Sequence, residues 1–220
     1  MIVAPQPEAV EAGAEMLKAG GNAIDAMIAC ALTQGVVDPL MCSIGGVGCL
    51  QLFDPASGTQ LVLDGLSTCP TACHEDMWGD IFEHECADGF GYVVRNHVNE
   101  IGHRAVTIPG ILRVLETAHT RFGRAPWSDL FTSAIEFADE GFLVRPHVAT
   151  LFGQQEKVYG RLSYGDKLSF SEDGRRLYLR PDGTAKRAGD RIENPELGAT
   201  LALSRAMASR PFTRAKLPDA

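Results

Sequence analysis

A layered α/β fold is expected from three features of the sequence. A small-residue helical stretch beginning near Asn22 runs through Asp38-Pro39 and a glycine-dense loop into the β-forming run Cys49-Leu50-Gln51-Leu52-Phe53. That run and a second one at residues 61–63 are joined by Asp54-Pro55-Ala56-Ser57-Gly58, a turn-rich link that favours an antiparallel pair. Two apolar-periodic stretches at residues 109–122 and 127–140 then read as a helical hairpin with one core-facing stripe.

Taken in order, residues 8–17 carry Ala9, Ala12, Met16 and Leu17 at roughly helical spacing, and Gly20-Gly21 stops that helix. Asn22 is a natural N-cap for the next one, with Asp25 three residues on to answer the free backbone N–H groups. Its body, with Ala23, Ala26, Met27, Ala29, Cys30, Ala31 and Leu32, is apolar almost all round and small enough for another backbone to approach closely. This predicts a buried helix. The loop Ser43-Ile44-Gly45-Gly46-Val47-Gly48 follows it. A phosphate cradle requires strand, glycines and helix in that order, whereas here the order is helix, glycines, strand. The glycines therefore read as a packing device.

Residues 69–103 lose periodicity, and His74, His84, His97 and His103 are scattered among acidic residues and glycines, as in a long surface excursion. His84 has Glu83, Glu85 and Cys86 beside it, but no HExxH pattern or paired ligands on one helical face appear, so no metal and no cofactor are expected. Pro109 opens a helix through Phe122, and a second runs from Trp127 to Glu140 with Leu130, Phe131, Ala134, Ile135 and Ala138 on one stripe, stopped by Gly141. Glu116 and His119 share a side of the first helix, a spacing more often a surface contact than an acid–base dyad. Beyond Gly153 the sequence turns polar. Gly165-Asp166, Asp173-Gly174, Asp182-Gly183 and Gly189-Asp190 read as turns around short strands such as residues 177–179. No linker divides the chain, which is read as a single domain.

Composition limits the function classes. With 45% hydrophobic and 22% charged residues, the 220-residue chain can bury a substantial core. A net charge of −8 and a pI near 5.2 argue against a nucleic-acid partner, and the pairs Arg175-Arg176 and Lys186-Arg187 read as solvated. No stretch has the ~20 apolar residues of a membrane helix and no signal segment is seen, so a cytoplasmic protein without a membrane partner is expected, or a secreted or periplasmic one if the N-terminus is truncated. The six cysteines at positions 30, 42, 49, 69, 73 and 86 read as reduced thiols. Cys30 fits the core, while Cys69 and Cys73 flank a proline turn and are candidates for exposure. A thiol enzyme using either of them lacks an identifiable base.

Five segments carry a resemblance: APQPEAVEAGAEMLKAGGNAIDA (residues 4–26), GVVDPLMCSIGGVG (35–48), LVLDG followed by CP (61–65 and 69–70), TIPGILRVLETAHTRFGRAPWSDLFTSAIEFADEGF (107–142) and AGDRIENPELGATL (188–201). In this order they resemble the γ-glutamyltransferases (γ-glutamyl transpeptidases) of the N-terminal nucleophile (Ntn) hydrolase superfamily. The resemblance implies an incomplete αββα sandwich, the N-terminal part of that fold. It also implies a precursor that cleaves itself ahead of a threonine, whose hydroxyl becomes the nucleophile and whose new amino group can serve as base. The γ-glutamyl group of a glutathione-like amide then passes to water, an amino acid or a peptide. In the family that threonine lies in the C-terminal portion, so no catalytic residue is assigned in this chain, and a small amide substrate is expected only if such a portion completes it.

One family position can be followed onto this sequence. The family usually shows DGRE-x-AP, whose arginine grips the substrate α-carboxylate through a matching fork. The corresponding stretch here is Asp64-Gly65-Leu66-Ser67-Thr68-Cys69-Pro70, so Leu66 stands in place of the arginine and no neighbouring base restores it. Leucine cannot bind a carboxylate, so glutathione specificity is expected to be lost and an acylase-like preference for a less charged acyl group becomes an alternative, as does a non-catalytic interaction module on the same scaffold. Residues 1–203 are assigned to the family-like domain. Residues 204–220, SRAMASRPFTRAKLPDA, lack the family's continuation. Back-translation with GC-rich codons and one guanine inserted after the Leu203 codon yields VARDGVEAFYTGEIAGR, so an out-of-frame tail is expected there.

Overall fold

The structure, a computed structural model, describes residues 1–154 and 158–207. In chain order it contains helices α1 Pro7–Lys18 and α2 Ala23–Val37 and strands β1 Gly48–Asp54 and β2 Thr59–Gly65. The short strands β3 Phe82–Glu85 and β4 Tyr92–Val94 follow, then α3 Ile111–Phe122 and α4 Thr132–Asp139. Helices α5 Pro146–Phe152, α6 Tyr164–Ser169, α7 Glu172–Tyr178 and α8 Pro195–Ala206 complete it. The α/β class expected from the sequence is borne out. The chain divides into two compact units: the first has Met1–Ser67, Pro109–Phe142 and the chain from Glu193, and the second has Thr68–Ile108 and Leu143–Ile192. No composition break marks these crossings, which is why the sequence read as a single domain.

In the first unit α1 packs along α2, and α2 in turn packs on α3 and α4, with α8 against α4. Gly13 makes the α1–α2 approach possible, because a Cβ there would lie 2.9 Å from the Ala26 carbonyl oxygen and 3.3 Å from the Cys30 Cβ. β1 and β2 pair antiparallel in register from Gly48↔Gly65 to Asp54↔Thr59. Strand alternation turns Leu50 and Leu52 inward, where they meet Val114 and Ala118 of α3, with Ile24, Met27, Leu61, Leu63 and Phe122 packed around them. Each fully buried Leu contributes about 1.5–3 kcal/mol. The opposite sheet face leaves Phe53 and Val62 exposed, at 65% and 62%.

The Asn22 cap forms as expected and extends further. Asn22 Oδ1 accepts from the Ile24 and Asp25 N–H groups at 2.9 and 3.1 Å, and Asp25 Oδ2 accepts from the Asn22 N–H at 2.8 Å. Asp25, fully buried, also accepts from the Arg124 and Ala125 N–H groups at 3.1 and 3.0 Å, while Asn22 Nδ2 donates to the Phe122 carbonyl at 2.6 Å. One cap thus ties the start of α2 to the loop after α3. At the other end, Asp38 caps α2, and its buried Oδ2 accepts from Gln6 Nε2 and Gln34 Nε2 at 3.2 and 3.1 Å.

Several local expectations are corrected. The stretch from Trp127 is not one helix: Trp127–Phe131 is a 3₁₀ turn and α4 starts at Thr132, with Trp127 stacked edge-on against Phe131 at 5.1 Å. The strand expected at residues 177–179 is largely helix α7, because Ser171 caps it by accepting from the Gly174 N–H at 2.9 Å and Glu172 and Asp173 fill its first turn. Asp173-Gly174 is thereby helical. Only Leu179 forms a bridge, to Ala185. Gly165-Asp166 is likewise inside a helix, α6, held by a capping box from Ser163. Asp182-Gly183 and Gly189-Asp190 are turns as expected, with both glycines at positive φ.

Residues 69–103 are mostly exposed, but they contain the antiparallel β3–β4 pair, in which Val93 and Val94 of β4 are buried, as is Cys86 just after β3. Elsewhere in this second unit Phe152 meets Tyr178 edge-on at 5.5 Å, and α6 packs on α7. The expected tail starts within α8, since Ser204 is buried and its carbonyl accepts from Trp127 Nε1 at 3.4 Å, and residues 208–220 lie outside the described ones.

Candidate functional site

The end of β2 is built by glycines. A Cβ on Gly65 would lie 2.8 Å from the Gly48 carbonyl oxygen and 3.0 Å from that of Gly110, and would collide with Val114. A Cβ on Gly110 would in turn strike the Gly65 backbone. This Gly65–Gly110 crossing carries the chain out of the sheet immediately before Leu66. The local backbone is fixed by Asp64, whose Oδ1 accepts the Leu66 N–H at 2.9 Å and the Cys49 thiol at 3.6 Å. Leu66 itself is 59% exposed. No Lys or Arg occurs from Asp64 to Pro70.

The glycine loop before β1 opens at the same end of the hairpin, as the pairing Gly48↔Gly65 requires. It packs on the start of α3, the Gly46 carbonyl accepting the Ile111 N–H at 3.3 Å. The loop also walls a cavity of about 410 Å³, lined by Ala31, Gln34, Leu40, Met41, Cys42 and Val47 among others. Its lining carries no charged side chain. Burial and the nearby Asp38 carboxylate push the Cys42 thiol up from its ordinary value, so it faces the cavity as a neutral group.

The other sequence candidates separate. Glu116 pairs with Arg113 at 2.8 Å, whereas His119 Nε2 meets the Ala125 carbonyl at 2.8 Å and lies 3.8 Å from Asp25, so the two do not act together. His84, with Glu83 and Glu85, lies on the exposed strand β3. His97 contacts Glu100 at 3.0 Å. The sequence missed Asp25 as the junction of α2 with the loop after α3, because its partners lie about a hundred residues away.

The first unit is thus a helical layer over an antiparallel hairpin, with close glycine contacts at the hairpin's open end. The sequence model of the gamma-glutamyltranspeptidase family matches residues 9–213, and the chain belongs to that family. It is 34% identical over 188 residues to the glutathione hydrolase proenzyme of Pseudomonas aeruginosa, covering 82% of this chain and 30% of that protein. It is 33% identical over 208 residues to the acylase ACY 1 proenzyme of Pseudomonas sp. strain V22, covering 92% of this chain and 34% of that protein. The gamma-glutamyltranspeptidase of Helicobacter pylori superimposes with a TM-score of 0.80 at 22% identity, over 97% of this chain and 56% of that one, which shows a shared fold. The chain therefore spans about a third of the length of these curated relatives.

Proposed function

We propose that this chain is the N-terminal scaffold of an amide-cleaving acyltransferase or hydrolase whose acyl group carries no α-carboxylate to be gripped at position 66. The observation that carries this reading is Leu66, exposed at the end of β2 where the family motif has an arginine. An Arg–carboxylate fork is a charge-assisted, bidentate contact, and a leucine offers none of its donors. The uncharged cavity at the same end of the hairpin supports the same preference. So does the similarity to an acylase at nearly the same identity as to a glutathione hydrolase. On this reading the threonine nucleophile is one that these residues do not supply.

The test is a chimera in which this chain replaces the matching portion of a glutathione hydrolase, assayed on a γ-glutamyl anilide and on an anilide with an uncharged acyl group. The chimera is expected to favour the uncharged acyl group. Leu66→Arg should raise γ-glutamyl turnover about 10- to 100-fold, as one charge-assisted contact is worth about 1.5–3 kcal/mol. A chimera that works on the γ-glutamyl anilide and is indifferent to L66R contradicts the proposal.

A further inference from the structure

Residues 161–191 run against the charge of the chain, with eight Lys and Arg against five Asp and Glu in a protein of net −8. Within them the basic pair Lys186-Arg187, expected to be solvated, stands on the wall of a cavity of about 420 Å³ inside the second unit. That is the size of a small-molecule site. α5 contributes Ala149 to its lining, α6 contributes Gly165 and Ser169, and the loop after α7 contributes Leu179 and residues 183–187. Among the described residues no Asp or Glu lines it.

The loop is held in shape by its own backbone. Leu179 bridges Ala185, the Arg180 N–H donates to the Thr184 carbonyl at 2.7 Å, and the Lys186 N–H donates to the Tyr178 carbonyl at 2.9 Å. Its two carboxylates are already occupied. Arg180 grips Asp190 at 2.6 and 2.8 Å, and the Arg187 N–H adds a third bond at 2.7 Å. Asp182 Oδ1 accepts from the Thr184 N–H and hydroxyl at 2.9 and 2.7 Å. These bonds, and more weakly the charges of Arg180 and Arg187, hold the Asp182 carboxyl below its ordinary value, but no ion pair ties it to Arg187. The two cations of the wall are therefore left without a carboxylate. Lys186 Nζ donates to the neutral Arg191 carbonyl at 2.5 Å and keeps two donors over, and the Arg187 guanidinium makes no hydrogen bond or ion pair among the described residues.

We infer that this cavity binds a small organic phosphate monoester. Two adjacent cations match the double charge of a phosphate better than the single charge of a carboxylate, and a phosphate monoester presents three terminal oxygens. The planar fork of Arg187 takes two of them and the Lys186 ammonium takes the third. Ala149, Leu179 and Ala185 give the organic group an apolar surface that inorganic phosphate would leave uncovered. The site lies wholly within the second unit and does not depend on the reading of Leu66.

The full chain, labelled with ¹⁵N, is titrated with phenyl phosphate at low salt and about pH 7.5, where the ester is mostly a dianion. Saturable amide shifts are expected in residues 165–169 and 179–187, and none in α1 or α2. Arg187→Gln, which removes no hydrogen bond of the side chain, should weaken binding about 5- to 10-fold. Lys186→Gln should do the same, and the double variant should abolish saturation. Arg176→Gln removes an equal charge from the exposed face of α7 and should change affinity less than about twofold. Inorganic phosphate and benzoate should each bind at least about tenfold more weakly than phenyl phosphate. Absence of saturable shifts, equal weakening by R176Q and R187Q, or benzoate or inorganic phosphate binding as tightly as phenyl phosphate overturns the inference.

Discussion

The two units are held together in different ways. In the first, helices cover a sheet face, and distant segments are tied by buried polar groups: Asp25 to residues 124 and 125, Asn22 to Phe122, and Asp38 to Gln6 and Gln34. In the second, helices of six or seven residues are held by their own caps and by Arg180 with Asp190 at 2.6 and 2.8 Å. Its distant segments are tied by more exposed groups, Glu100 accepting the Leu162 N–H at 3.0 Å and Arg161 pairing with Asp88 at 2.9 Å. Cooperative, long-range packing should make substitutions costly in the first unit, while the second should respond locally.

The largest effect is expected at Asp25. Asp25→Ala leaves the N–H groups of Asn22, Arg124 and Ala125 without their acceptor, and should destabilise the first unit by about 3 kcal/mol or more, read as a lower urea midpoint by circular dichroism. A loss below about 1 kcal/mol would show that water replaces the carboxylate, and the contrast between the units would weaken. Next comes the glycine crossing. Gly110→Ala drives a methyl group into the Gly65 backbone, and should cost about 1–3 kcal/mol in the same measurement.

In the second unit Ser163→Ala removes the cap of α6, where Ser163 Oγ accepts from the Asp166 N–H at 3.0 Å. About 1 kcal/mol should be lost. Hydrogen exchange should quicken in residues 164–169 and leave α2 unchanged. Spread of that exchange into α2 would mean the units do not respond separately. The smallest effect is electrostatic. The Arg180 guanidinium, with the Arg187 N–H, holds the Asp190 carboxyl at about 2 against an ordinary 3.8. A depressed carboxylate stabilises the fold above its unfolded value, and that contribution fades below pH 3.8 and is gone once pH falls through about 2. Carboxyl NMR titration should show this midpoint, and Arg180→Ala should move it back toward 3.8.

The same contrast explains what could be read in the sequence. Asn22 with Asp25, the small residues of α2 and the alternation through Leu50 and Leu52 carry periodic signals over many residues, and those elements appear as expected. The second unit is decided by single side chains. Ser163 and Ser171 turn apparent loop punctuation at Gly165-Asp166 and Asp173-Gly174 into short helices, and no period survives in six or seven residues. Leu66 was legible only against the family motif. A leucine at a strand end has no physical mark of its own, and Asp25's reach to residue 124 has no local signature at all.

On the proposed function, the 220 residues supply a scaffold and not the reacting nucleophile. The most direct measurement is nitroaniline release by the purified chain alone from γ-glutamyl p-nitroanilide and from a p-nitroanilide with an uncharged acyl group. No release above the buffer rate is predicted. Steady turnover that co-purifies with the chain and is abolished by a substitution within it contradicts the account.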